Sequence, residues 1–338
     1  MVAAVQTKES VQKRLSMQVE GIAENTTTLR SQDWDRDRFD IEFGLQNGTT
    51  YNSFIIRGEK TALVDTSHAK FRELYIDALK GEVDPATIDY IVVSHTEPDH
   101  SGLIKDVLAL APNAVVVGAK VAIAFLKDLI HQPFESQIVK SGETLDLGNG
   151  HVLEFINAPN LHWPDTIFTF DHQTGILYTC DAFGAHYCNE DTFDEDLDAL
   201  SPDFRFYYDC LMGPNARSVV SAMKRMDKLD GTINTIATGH GPLLRRNLEE
   251  LTGRYRAWSQ KMSGAETLVA LFYVSDYGYS DRISQAIAKG ISKTGVGIEM
   301  VDLRSADAQD VNEIVSRSTG IVVGMPPSSG KGSEETRA

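Results

Sequence analysis

The sequence predicts a mixed α/β protein: two sheets packed face to face with helices outside, followed by a shorter parallel strand–helix unit. Three observations carry this expectation. Strand-like runs come in groups with helical stretches between them up to about residue 261. After the polar break Ser263-Gly264-Ala265-Glu266, strands and helices alternate one for one, the order of a parallel sheet. And a dense set of histidines and carboxylates follows a β-branched run, where α/β folds place their chemistry.

Taken in order, residues 1–30 are polar and read as a lead-in, partly helical or strand-like at best. The unit 31–264 begins with strands over Thr50–Arg57 and Thr61–Asp65, joined by the turn Gly58-Glu59-Lys60. Helix signals cover Lys70–Leu79, and Tyr90–Val93 is a buried strand. A helix then ends near Ala111-Pro112, ahead of a strand at Ala114–Gly118 and a helix over Val121–Ile130. Strands dominate from Ser136 to Thr179; Val219–Met226 reads as helix, Ile233–Ala237 as strand, and Pro242–Lys261 as a long helix. The unit 265–330 reads strand Leu268–Val274, helix Arg282–Ser292, strand Val296–Asp302, helix Asp307–Arg317, strand Ile321–Met325. Residues 331–338 form a polar tail.

The stretch Ser94-His95-Thr96-Glu97-Pro98-Asp99-His100-Ser101-Gly102 places four metal-ligand side chains within six residues. It lies between the strand Ile91-Val92-Val93 and a helix patterned by Leu103, Ile104, Val107 and Leu108. Two imidazoles and two carboxylates so close together are costly unless cations compensate them. His162, Asp181 and His240 each stand just past a predicted strand or in the turn that ends it. With the first loop they give four imidazoles and three carboxylates, enough for two metals sharing one bridging carboxylate. Glu97 shifts the donor set toward oxygen, which suits iron or manganese over zinc and redox chemistry over hydrolysis. Asp165 is expected to orient His162; for His186, contact with the Asp181 surroundings competes with an ordinary surface or core role.

Composition narrows the partners. The 338 residues carry 32 Lys and Arg against 48 Asp and Glu, a net charge of −16. That argues against nucleic acid and against an anionic membrane surface, and no apolar run reaches transmembrane length. Cys180, Cys188 and Cys210 form no CxxC pair and read as core thiols. Nothing at the amino terminus resembles a signal peptide, so a cytoplasmic location is expected.

The motif His95-x-Glu97-x-Asp99-His100, with His162, Asp181 and His240, resembles the flavodiiron proteins, or A-type flavoproteins, over roughly residues 30 to 330. The wording Thr50-Tyr51-Asn52-Ser53-Phe54 and the lead-in are most similar to the cyanobacterial members. The resemblance implies a metallo-β-lactamase-like αββα sandwich followed by a flavodoxin-like parallel α/β domain, here incomplete. It implies two iron ions: His95, Glu97 and His162 on one, Asp99, His100 and His240 on the other, and Asp181 between them. It also implies FMN, reduction of dioxygen to water or nitric oxide to nitrous oxide, and a flavin- or NAD(P)H-linked electron donor. A head-to-tail homodimer, or a hetero-oligomer with a relative, follows by the same analogy.

For the flavin, the loop Ser275-Asp276-Tyr277-Gly278-Tyr279-Ser280 between a strand and a helix looks like a phosphate cradle, and Pro327 and Ser328 fall where a second flavin-contacting loop is expected. Three strands are present where a flavodoxin-like sheet has five, so the chain reads as truncated, and metal binding with weak or absent flavin binding is expected. Two other readings compete: a binuclear metallohydrolase acting on an ester, thioester or phosphodiester, and a non-catalytic partner of a full-length relative.

Overall fold

The computed structural model describes residues 14–39, 43–264, 267–275, 279–304, 306 and 308–325. Strands β1 (Leu15–Ala23) and β2 (Thr26–Asp33) open the chain, followed by the short pair β3 (Arg38–Phe39) and β4 (Phe43–Gly44), then β5 (Thr49–Arg57) and β6 (Thr61–Val64). Helix α1 (Arg72–Glu82) leads to β7 (Ile88–Val93), the single turn α2 (Pro98–Ser101), α3 (Ile104–Leu110), β8 (Val115–Gly118), α4 (Lys120–Ile130) and β9 (Ser136–Ile138). These strands make a seven-stranded sheet in the order β1-β2-β5-β6-β7-β8-β9. A second, five-stranded sheet runs in sequence order: β10 (Thr144–Gly148), β11 (His151–Asn157), β12 (Ile167–Asp171), β13 (Ile176–Cys180) and β14 (Thr235–Thr238).

Alternation along single strands sorts the apolar side chains into three layers. On β5, Phe54 and Ile56 point into the cluster between the sheets, where they meet Phe155, Ile167 and Tyr178. Ile55 points the other way, against Phe71, Tyr75 and Leu79 beside and along α1. Behind the second sheet, Phe168, Phe170 and Leu177 pack on α5 (Leu197–Tyr207), α6 (Ala216–Met226) and α7 (Leu248–Ser263). Each such fully buried side chain contributes roughly 1.5–3 kcal/mol of hydrophobic stabilisation, and the result is the αββα sandwich.

Several local expectations are corrected. The lead-in is not loosely structured from Leu15 onward: β1 and β2 pair antiparallel through eight partners and join β5. The polar run Thr26-Thr27-Thr28 is buried there, and sheet pairing satisfies the backbone that its polarity suggested was solvated. Helix α1 runs through Gly81 to Glu82. The long helix starts at Leu248, because residues before it bridge to Phe193 and Ile236 instead. Helix α5 carries Pro202 in its second turn and continues into a π-type turn, Tyr208–Met212, which a Pro-containing pattern concealed.

The second unit holds β15 (Leu268–Tyr273), α8 (Tyr279–Ser292), β16 (Gly297–Asp302), α9 (Ala308–Arg317) and β17 (Gly320–Gly324). All pairs are parallel in the order β16-β15-β17, as the alternation predicts. The expected residues Tyr277, Gly278, Pro327 and Ser328, and the tail 331–338, lie outside the described residues.

Candidate metal centre

The seven residues converge at the carboxyl ends of strands. His95 and Glu97 follow β7, Asp99 and His100 ride on α2, His162 lies in the loop between β11 and β12, Asp181 follows β13 and His240 follows β14. The single helical turn matters, since it swings Asp99 and His100 away from the side served by His95 and Glu97. Gly102 closes that turn tightly: a Cβ there would lie 2.3 Å from the turn's own Pro98 carbonyl oxygen and 3.1 Å from the Ser67 carbonyl oxygen. Gly239 does the same for His100, whose ring carbon would meet a Cβ at 2.7 Å.

Asp181 faces two nests of donors. Its Oδ2 lies 3.4 Å from His95 Nε2 and 3.3 Å from His162 Nε2, while Glu97 Oε2 stands 2.9 Å from His162 Nε2. Its Oδ1 lies 3.0 Å from His100 Nε2 and 3.3 Å from His240 Nε2, with Asp99 oxygens 3.5 and 3.4 Å from those same imidazoles. Ligand atoms of each nest fall within 4.8 Å of one another. Both Asp99 oxygens, Asp181 Oδ2 and His240 Nε2 are buried without a hydrogen bond. Buried polar atoms left in this state are costly, and a cation among them removes the cost.

Outer partners set which nitrogen faces inward. His95 Nδ1 donates to Asp165 Oδ1 at 3.0 Å, and the other Asp165 oxygen accepts from the Thr96 amide and hydroxyl. Asp165 therefore orients His95 and not His162, whose Nε2 faces Glu97 and whose Nδ1 is buried without a hydrogen bond. His240 Nδ1 donates to the Thr50 carbonyl at 2.7 Å. Tyr207, which sequence reasoning missed, donates its hydroxyl to Asp181 Oδ1 at 3.0 Å from the end of α5. His186 is buried, bonded to Thr49 Oγ1 at 2.9 Å with its ring centroid 4.7 Å from that of His240.

Electrostatics agree with a cation site. Burial opposes charge on every group, yet the carboxylates around His95 hold its imidazole well above the ordinary value. His100 is pushed up to about 9 by Asp99 and Asp181, and His162 to about 10 by Glu97 and Asp181, both against burial. Burial would raise Asp181, but His100, His162 and His240 hold it well below the usual carboxylate range. His186 goes the other way, lowered by burial and by the neighbouring His240. The cluster attracts positive charge, which protons or divalent ions can supply.

In the second unit, Ser275 and Ser280 stand at the amino end of α8 and Tyr279 is 72% exposed. The Ser275 hydroxyl accepts the Asp281 amide.

A sandwich of two sheets between helices, with donor loops at the strand ends, defines a metallo-β-lactamase-type protein. The profile of the family described as ODP family beta lactamase matches residues 49–241, which include all seven donors. The chain is 66% identical over 316 residues to diflavin flavoprotein A 1 of Synechocystis, covering 94% of this chain and 55% of that protein. It is 65% identical over 320 residues to putative diflavin flavoprotein A 3 of Nostoc, covering 94% and 56%. The chain thus spans about half the length of the curated relatives it matches. The metal-soaked Flv1 flavodiiron core of Synechocystis superposes with a TM-score of 0.89 at 35% identity, over 96% of this chain and 80% of that one. The chain belongs to the flavodiiron proteins.

Proposed function

We propose that this chain holds two iron ions, one among His95, Glu97 and His162 and the other among Asp99, His100 and His240, with Asp181 shared, and that it reduces dioxygen or nitric oxide. The observation that carries this reading is the division of Asp181 between the nests, one oxygen toward each. A reducible iron pair supplies electrons and Lewis acidity to a bound diatomic. The chain's own groups do the rest. Asp165 and the Thr50 carbonyl fix the His95 and His240 tautomers. Tyr207 holds Asp181 by one oxygen, and the Phe39, Tyr51 and Trp163 rings wall the approach against bulk water. Glu97, in place of a further imidazole, favours this chemistry over hydrolysis.

Electrons would come from FMN docked at the amino end of α8, with Ser275, Tyr279 and Ser280 as its described contacts, fed by a flavin- or NAD(P)H-linked donor. Assembly as a homodimer or with a related chain belongs to the same reading. Retention of FMN by the full chain after incubation with excess flavin and desalting tests this part of the reading. The decisive test is anaerobic reduction of metal-analysed protein, then exposure to each gas with product detection. Iron content with water or nitrous oxide formed supports the proposal. Zinc without iron, together with ester hydrolysis, sinks it.

A further inference from the structure

A cavity of about 390 Å3 separates the units and leads to Glu97 and Asp99. Arg36 and Tyr51 line it from the sandwich, and Asp281 and Gln285 line it from α8. The second unit brings α8 there by resting on the π-type turn. Cys210 of that turn, 7% exposed, borders a tight gap with His162, Gln285 and Met300. Lys289 Nζ of α8 lies 5.6 Å from the Phe206 ring centroid.

A charged clasp crosses this boundary beside Met300. Glu299 of β16 is 7% exposed. It accepts Arg217 Nε from α6 at 2.5 Å, and both terminal nitrogens of Arg317, in its own unit, at 2.7 and 2.6 Å. The two arms do different work. Arg317 neutralises Glu299 inside the second unit, so that unit does not need Arg217 to keep a buried carboxylate paired. Arg217 instead ties that carboxylate to the sandwich.

We infer that the second unit is a movable cover over the passage to Glu97 and Asp99, latched shut by the Arg217–Glu299 pair across the units. Units of one chain move relative to one another by default unless a large hydrophobic interface joins them, and an ion pair whose Arg217 side chain is 37% exposed holds them with a strength that thermal motion overcomes. Opening would lift Asp281 and Gln285 off the cavity and uncover Cys210 in the same movement. What passes through the opening rests on the metal-centre reading above; the latch itself does not.

The native thiols report the motion. All three are buried, but Cys210 borders the gap at the boundary, whereas Cys180 at 2% and Cys188 at 8% exposure lie within the sandwich. The full chain is pulsed with iodoacetamide, and alkylation of each thiol is followed by peptide mass spectrometry. Arg217→Gln is expected to speed Cys210 alkylation by about fivefold, the scale of losing one partly exposed pair, with Cys180 and Cys188 unchanged. Arg217→Lys keeps a cation and should give a smaller increase. An unchanged Cys210 rate in Arg217→Gln overturns the latch. So does an equal rise at all three thiols, which reports unfolding instead of opening. Metal content measured on the same samples keeps a failure of the metal reading distinct from a failure of the latch.

Discussion

In the sandwich, His95, His100 and His240 are completely buried at strand ends, whereas in the second unit Ile321 and Val323 on β17 are 52% and 48% exposed. The first region hides polar groups and the second displays apolar ones. Hidden polar groups are costly unless neighbours satisfy them: His95, His240 and Asp181 are tied to a carboxylate, a carbonyl and a hydroxyl from other elements, while both Asp99 oxygens and the Nδ1 atoms of His100 and His162 are buried without a hydrogen bond. Exposed apolar side chains carry no such obligation, and β17 presents its edge without a partner strand among the described residues. Interference with the first region should therefore be severe and specific, and interference with the β17 face mild.

The largest effect is expected from Asp181→Ala, which strips the shared carboxylate from both nests; elemental analysis should find both ions lost, with the fold retained by circular dichroism. Next, Leu271→Ala in the small core of the second unit should cost about 2–5 kcal/mol of that unit's stability, read by denaturant unfolding, while metal content stays unchanged. Loss of metal in that variant would show that the two regions are not separable. Asp165→Asn leaves every proposed ligand in place and should weaken metal binding roughly 10–100-fold in chelator competition, since His95 loses its orienting carboxylate.

Acidity offers a milder probe. His100 and His162 bind protons up to about 9 and about 10, so at neutral pH an incoming metal must displace them. Metal affinity should rise with pH through this range, and binding should release protons into a weakly buffered solution. An affinity that is flat from pH 7 to about 9 would contradict the coupling. Smallest of all, Val323→Lys on the exposed face should change stability by no more than about 0.5 kcal/mol.

That these seven side chains gather was legible because four sit in one short loop and Asp181 and His240 stand just past strands, two signals that local sequence carries. The outer partners were not. Tyr207 lies in a helix whose Pro202 and following π-type turn hide its period, and it reaches Asp181 only through folding. Asp165 was visible but misassigned, because its nearest histidine in sequence, His162, turns to Glu97 instead. The buried threonines of β2 misled for a related reason: polarity signals solvent, yet a sheet can satisfy the backbone within the core.

By itself, then, the sequence determined the donor types, their placement at strand ends and the strand–helix alternation of the second unit, all of which depend on neighbours a few residues apart. Only the tertiary structure decided which oxygen of Asp181 faces which nest, which histidine Asp165 holds, and that α8 roofs the passage to Glu97. Those choices join residues tens to hundreds of positions apart, and their geometry is fixed by packing between layers, which no local pattern encodes.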